Sequence, residues 1–315
     1  MKTRIFFATD VHGSEVCFLK FLKAAKFYNS NVLMLCGDLT GKAIVPIVEQ
    51  NDGKFTADFL GHRDLSSMEQ RKAFEKVIKN SGYYFYYTTN AELNETRADP
   101  TKMDALFSKL MCESVENWVK TAEERLKGEN VKCFMSPGND DRYEIDPILK
   151  RSSLVIDCEE KVCYVDEHHE MITLGSVNPT PFHCPRDISE EELGKKLEIM
   201  IASVKNVKNC IFNTHVPPYN STIDTAPSVD MTLKVVAKGG QIQYIPAGST
   251  AVRSAIETHQ PLLGLHGHIH ESRGEQKIGR TLCINPGSEY QQGVLRGVLV
   301  DLQNGKIEGH YLTSG

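Results

Sequence analysis

The sequence predicts a mixed α/β protein, and three observations carry that prediction. Short apolar runs of strand length recur along the chain, amphipathic stretches with helical spacing fall between them, and the C-terminal part is strand-rich. Several of the apolar runs show no alternation, as strands buried on both faces do. At 315 residues the chain has ample length for a core.

Taken in order, "RIFFATDVHG" is a strand ending at Asp10 and His12. "SEVCFLKFLKAAKFY", from Ser14, has helical spacing, and "NVLMLCGD" is a second strand ending at Asp38. Residues 42–130 stand apart and read as an insertion that caps the core. Within it, "IVPIVEQNDGKFTADFL" predicts a hairpin about Asp52-Gly53. A helix follows from Ser67, with Gln70 at the capping-box position. Next come the aromatic run "GYYFYYTT" and a long helix around "DALFSKLMCESVENWVKTAEERL".

The run "VKCFMSPGNDD" returns to strand character and ends at Asn139, Asp140 and Asp141. Ser189 and Glu192 are spaced as a capping box before a helix whose Leu193, Leu197, Met200 and Val204 share a face. "NCIFNTH" ends at His215, and "PLLGLHGHIH" ends at His268 and His270, with His266 two residues earlier. "RGVLVDLQNGKIEGHYL" reads as a hairpin with a type I′ turn at Asn304-Gly305.

Composition narrows the function. The net charge of −5 gives no sign of a nucleic-acid footprint, which needs a basic face. The nine cysteines are an odd number, lie largely in apolar runs, and form no CxxC, so they read as buried thiols in a reducing compartment. No apolar stretch approaches a membrane span, and the N-terminal apolar run is too short for a secretory signal; the expected location is the cytoplasm.

Chelating residues therefore collect at strand ends, where open α/β sheets place their sites. Carboxylate, amide oxygen and imidazole recur: Asp10, His12, Asp38, Asn139, His215, His268 and His270. Such a set can hold two divalent ions with one carboxylate shared, an arrangement that clamps the attacking and leaving oxygens of a phosphoryl transfer.

The order D-x-H, G-D, G-N-x-D, H and G-H-x-H resembles the calcineurin-like metallophosphoesterase family. The resemblance implies a two-sheet sandwich flanked by helices, a single metallophosphoesterase domain over 1–315 with the cap inserted at about 42–130. It implies a first metal held by Asp10, His12, Asp38 and His270, and a second held by Asp38, Asn139, His215 and His268. Asp38 would bridge. The metals expected are Mn, Fe, Zn or Ni. Many family members carry a histidine after the GN pair that protonates the leaving oxygen. Here Asp140 stands there, with Asp141 in the place of the residue that orients that histidine. Small members lacking the histidine lean towards phosphodiesters, and a carboxylate at Asp140 would repel a dianionic monoester more than a monoanionic diester.

The resulting expectation is a dinuclear phosphodiesterase acting through a metal-activated hydroxide, with Asp38, Asn139, Asp140 and Asp141 in its reacting region. Phosphate contacts are expected from Arg142, His183 and Arg186, with Asn178 beside them. The substrate would be a small phosphate ester, nucleotides included. A phosphomonoesterase, a nucleotide pyrophosphatase and a metal-binding interaction scaffold are the alternatives.

Overall fold

The computed structural model describes residues 2–315. The first part runs β1 (Lys2–Ala8), α1 (Glu15–Phe27), β2 (Val32–Cys36), β3 (Ile44–Glu49), β4 (Phe55–Asp58), β5 (His62–Leu65), α2 (Met68–Asn80), β6 (Tyr84–Thr89), α3 (Asn90–Ala98) and α4 (Pro100–Leu126). The middle runs β7 (Lys132–Ser136), α5 (Asp146–Arg151), β8 (Val155–Asp157), β9 (Val162–Tyr164), β10 (Glu170–Leu174), α6 (Glu190–Ala202) and β11 (Ile211–Thr214). The last part holds β12 (Thr225–Pro227), β13 (Ala237–Lys238), β14 (Gln241–Ile242), β15 (Tyr244–Pro246), α7 (Thr250–His259), β16 (Leu263–Leu265), β17 (Gly274–Ile278), β18 (Thr281–Asn285), β19 (Arg296–Gln303) and β20 (Lys306–Ser314).

Two six-stranded sheets dominate, in the orders β20-β19-β1-β2-β7-β8 and β17-β18-β16-β11-β10-β9. Four consecutive strands of each are parallel: β1-β2-β7-β8 in one, β10-β11-β16-β18 in the other. Alternation along the strands divides the core. Ile5, Phe7, Val32, Met34 and Phe134 face Ile211, Leu263, Leu265 and Ile284 across the space between the sheets. Phe6, Ala8, Leu33 and Leu35 turn outward onto α1, α4 and α5. Ile172, Leu174 and Phe212 turn onto α6 and α7. The result is the α/β class expected: a two-sheet sandwich with helices on both outer faces.

The capping box at Ser67 and Gln70 forms in full. At Ser189 only half forms, the Ser189 side chain accepting from Glu192 N. That helix ends at Ala202, so Val204 lies beyond it and packs on the same cluster from outside. Asn304 and Gly305 both sit at positive φ (50° and 73°) between paired Gln303 and Lys306, as a type I′ turn requires.

Residues 42–130 divide in two by packing. Strands β3 to β6 make a separate four-stranded sheet, order β5-β4-β3-β6, with its own small core of Val45, Ile47, Ala57, Leu65, Phe74 and Ile78. The later turns of α4 belong to the main core instead: Met111, Val115, Trp118 and Ala122 pack there, with the Trp118 ring stacked on Phe18 at 4.3 Å. Residues 225–246 add two short ribbons, β12-β15 and β13-β14, the latter turning at Gly239-Gly240. Among the described residues no helix is long and apolar enough to cross a membrane.

Candidate metal centre

The parallel strands of both sheets deliver their C-terminal ends to one place. Asp10 and His12 follow β1, Asp38 follows β2, Asn139 follows β7, His215 directly follows β11, and His268 and His270 follow β16. Asp10, His12, Asp38 and His268 all adopt positive φ (53°, 39°, 45° and 66°). Non-glycine residues rarely do so, and such strain gathers where side chains must be aimed. Two glycines allow the close approach. A Cβ on Gly37, at φ +100°, would lie 2.0 Å from His215 Nδ1, and one on Gly267 would lie 2.4 Å from Asp10 Oδ2.

Donor atoms converge in two sets. His12 Nε2 is 3.0 Å from His270 Nε2 and 3.5 Å from Asp38 Oδ2, while His270 Nε2 is 3.3 Å from Asp10 Oδ1. On the other side His215 Nε2 is 3.4 Å from Asp38 Oδ1 and 3.7 Å from Asp10 Oδ1. Two ligands on bonds of about 2.1 Å sit roughly 3.0 to 3.4 Å apart at right-angled or tetrahedral spacing. The donors therefore stand about as far apart as ligands around an ion do. Asp38 turns one oxygen to each set. Asn139 is buried, its Nδ2 donating to Asp187 at 3.2 Å while Oδ1 has no partner. His215 is also buried without a hydrogen bond at Nε2. A buried acceptor left unpaired, as Asn139 Oδ1 is, is costly, and a cation would relieve it. The residues present thus fit divalent metal ions. His268 stands further off: its ring lies 5.4 Å from that of His215, and its main-chain N–H donates to the Asp10 carboxylate at 3.1 Å.

Charge in the centre is skewed. Burial opposes the ionised forms of Asp10 and Asp38, yet His215 and the other histidines hold both carboxyls below the usual range. Burial likewise opposes a charged His215, but Asp38 and Asp10 outweigh it and lift its pKa to about 9. His12 and His268 go the other way, burial lowering them to about 3 and about 4. Against burial, Asp10 raises His270 as well, and an anionic hollow that draws protons onto its histidines is one that a cation suits.

Asp141 is fully buried. It accepts from Leu39 N at 2.9 Å, Thr40 N at 2.8 Å, Thr40 Oγ1 at 2.6 Å and Gly138 N at 2.8 Å. It ties the Asp38 loop to the Asn139 loop. Burial, then the charge of Asp38, raises it to about 6. Asp140 is only partly buried. Its Oδ2 meets Lys42 Nζ at 2.5 Å, its Oδ1 accepts from the Cys184 thiol at 2.8 Å, and its main-chain N–H donates to Asp38 Oδ1 at 3.0 Å.

The expected phosphate contacts need correction. Arg186 is buried and donates to the carbonyls of Asp141 and Arg142 and to Asp146 Oδ1, so its guanidinium holds loops together. Arg142 lies over the Phe107 ring and reaches Asp104 at 2.7 Å and Ser108 at 2.9 Å, pointing into α4. His183 is exposed, one residue before Cys184. Asn178 leaves its Oδ1 buried and unpaired. The start of α7 is filled by the chain's own Glu190, which accepts from Thr250 N, Ala251 N and Ser249 Oγ. His266 is buried and faces away, its Nδ1 against the Thr214 carbonyl at 3.0 Å, which anchors the residue before His215. Asn285 is structural: its amide donates to the carbonyls of Gly267 and Ile269 and shapes the His268 loop.

Sequence reasoning missed Lys42, Cys184 and Tyr290, whose ring packs 4.7 Å from that of His12. Lys42 sits four residues after Asp38 in "GDLTGK", and that closeness to a motif was the available signal. Nothing in the sequence marks Cys184.

Fold and donor clusters together define an α/β protein with a candidate divalent-metal centre. The chain is 36% identical over 183 residues to MJ1162, an uncharacterized protein of Methanocaldococcus jannaschii, across 56% of this chain and 75% of that one, and it belongs to the same family. No family model matches. One crystal structure superposes with a TM-score of 0.59 at 15% identity, covering 100% of this chain and 99% of the other. That of TT1561 from Thermus thermophilus superposes at 0.55, also at 15% identity and with the same coverage. Both share the fold.

Proposed function

We propose that the protein is a metal-dependent phosphoesterase with two divalent ions, and that phosphodiesters are its preferred substrates. One observation carries the reading: the two oxygens of Asp38 face separate donor sets, His12 at 3.5 Å and His215 at 3.4 Å. A carboxylate so placed suits a bridge. Asp10, His12, Asp38 and His270 would hold one ion; Asp38, Asn139, His215 and His268 the other. Ions bound there supply Lewis acidity towards phosphoryl oxygens and activate water. The remaining work falls to the chain. Asp141 fixes the two metal loops against each other, and Lys42 brings positive charge to the rim. Asp140 has one oxygen on the Lys42 ammonium and the other on the Cys184 thiol, so it is engaged by the chain rather than turned to a leaving group. The absence of a ready acid favours esters whose leaving group departs unaided. The separate sheet of residues 44–89 is assigned the role of cap. A metal-binding scaffold would keep the same ligands, and turnover of the diester is what separates it from the enzyme.

Elemental analysis joined to hydrolysis of an aryl phosphodiester and the matching monoester tests the reading. We expect about two ions per chain and faster diester turnover. Asp38→Ala should lose ions and activity together. Full metal content and turnover in that variant would remove Asp38 from the bridge.

A further inference from the structure

A cavity of about 660 Å³ has His270, a proposed metal ligand, in its wall together with Lys42, Arg273, Ser288, Gln291 and Arg296. Its volume is that of a small-molecule site. The Ser288 N–H donates to the His270 carbonyl at 3.2 Å, which sets the loop after β18 beside the turn carrying Arg273. Three permanent cations thus share a wall with the centre.

Their partners differ. Lys42 is paired with Asp140, and Arg296 with Glu289 at 2.6 Å. Arg273 has no carboxylate partner among the described residues; its guanidinium makes one long contact, 3.5 Å to the Thr313 carbonyl. Glu271 lines the same cavity but forms no ion pair with it. Burial, then the nearby charge of Arg296, disfavours the cationic form of Arg273. Two guanidiniums gathered on one wall repel each other. Glu289 also lines the cavity; it pairs with Arg296 and offsets Arg273 only through its charge, which relieves the repulsion in part. A guanidinium grips a phosphate through two parallel hydrogen bonds.

We propose that this wall is an anion subsite in which Arg273, flanked by Arg296 and Lys42, holds a second phosphate carried on the departing part of the substrate. The inference rests on the phosphoesterase reading and narrows it. The substrate class becomes phosphodiesters whose leaving alcohol bears a further phosphate.

Two measurements test it. The first is the ratio of kcat/KM for a diester with a phosphorylated leaving alcohol to that for the same diester without the extra phosphate. We expect wild type to favour the phosphorylated compound, and Arg273→Gln to cut that ratio about tenfold or more, the value of a charged hydrogen bond. The exposed position of Arg273 makes the variant a safe one to fold. The second is calorimetric binding of inorganic phosphate to chelator-treated protein, which we expect to weaken about tenfold in Arg273→Gln. Diester hydrolysis with no preference for the extra phosphate, or an unchanged ratio in the variant, would overturn the subsite and leave the phosphoesterase reading standing. Equal phosphate binding by both proteins would also overturn it. No hydrolysis of either diester with any divalent metal, joined to Arg273-dependent phosphate binding, would overturn the phosphoesterase reading and the substrate class built on it, leaving an anion site at Arg273.

Discussion

Asp140 reads differently in sequence and in space. As a lone carboxylate beside the metals it repels a doubly charged monoester. With Lys42 at 2.5 Å and the Cys184 thiol at 2.8 Å it is half of a neutral pair, and the repulsion is largely offset. Asp140→His should still raise monoesterase relative to diesterase activity, because it frees the Lys42 charge and adds an imidazole that can protonate a leaving oxygen. That proton transfer is worth on the order of 10²–10⁴-fold when well placed. The ratio of kcat/KM for an aryl phosphate to that for the matching diester, at equal metal occupancy, measures it. A ratio that stays flat would mean Asp140 does not face the phosphate. Gly37 gives a second residue-scale expectation. Ala there meets His215 Nδ1 at 2.0 Å from a strained backbone, so Gly37→Ala should lose one ion and on the order of 1–3 kcal/mol of stability. Metal analysis and a denaturant melt would show both.

Among the elements, α4 decides how the insertion is joined. Its N-terminal part meets the site loop through Asp104 and Ser108, both bonded to Arg142, and its C-terminal turns fill the core against α1. Trp118→Ala should therefore cost about 3–5 kcal/mol in global stability, as large-to-small core changes do. Phe74→Ala, in the separate core of the β3–β6 sheet, should loosen that sheet and leave the sandwich folded. Hydrogen exchange distinguishes the two: protection should fall everywhere in the first variant and only around residues 44–89 in the second. Equal global loss in both would mean the small sheet and the sandwich unfold as one unit. Two hairpin turns show how local chemistry can be read or overlooked. Asn304-Gly305 announces its type I′ turn because both residues tolerate positive φ. Gly239-Gly240 carries the same signal, but the strands beside it are two residues long and show no alternation to notice.

For the whole molecule the governing quantity is the charge enclosed where the two sheets meet. Metal binding must displace the proton on His215, whose pKa lies at about 9 without an ion. The sign follows: below that value each rise of one pH unit should increase metal affinity about tenfold for the proton on His215, and the gain should stop above it. His270, which Asp10 also raises against burial, adds to the slope where it is still protonated. Asp10 and Asp38 are ionised across that range and add no slope. Calorimetric titration of chelator-treated protein from about pH 6.5 to about 9.5, a range spanning the His215 transition, checks this, and an affinity independent of pH would remove the proton from His215. Ions at 100 times their Kd should then stabilise the fold by about 2.7 kcal/mol per site.

The sequence by itself determined the α/β class, the two hairpins that were read, the helix starts at Ser67 and Ser189, and which residues end the buried strands. These are local matters: alternation, capping and turn chemistry act over a few residues, and a strand end is visible wherever an apolar run meets a polar one. It also supplied the ligand types that the resemblance sorted into two sites. Only the tertiary structure decided that Asp38 turns one oxygen to His12 and the other to His215, because that depends on how two sheets stack. It alone paired Lys42 with Asp140, turned Arg142 and Arg186 into the protein, and carried Arg273 and Arg296 to the cavity beside His270. An arginine looks the same in a sequence whether its guanidinium meets a carboxylate, a carbonyl or open space. Which of these it meets is fixed by distant segments, as Arg186 and the Asp141 carbonyl are 45 residues apart along the chain, and no local pattern records them.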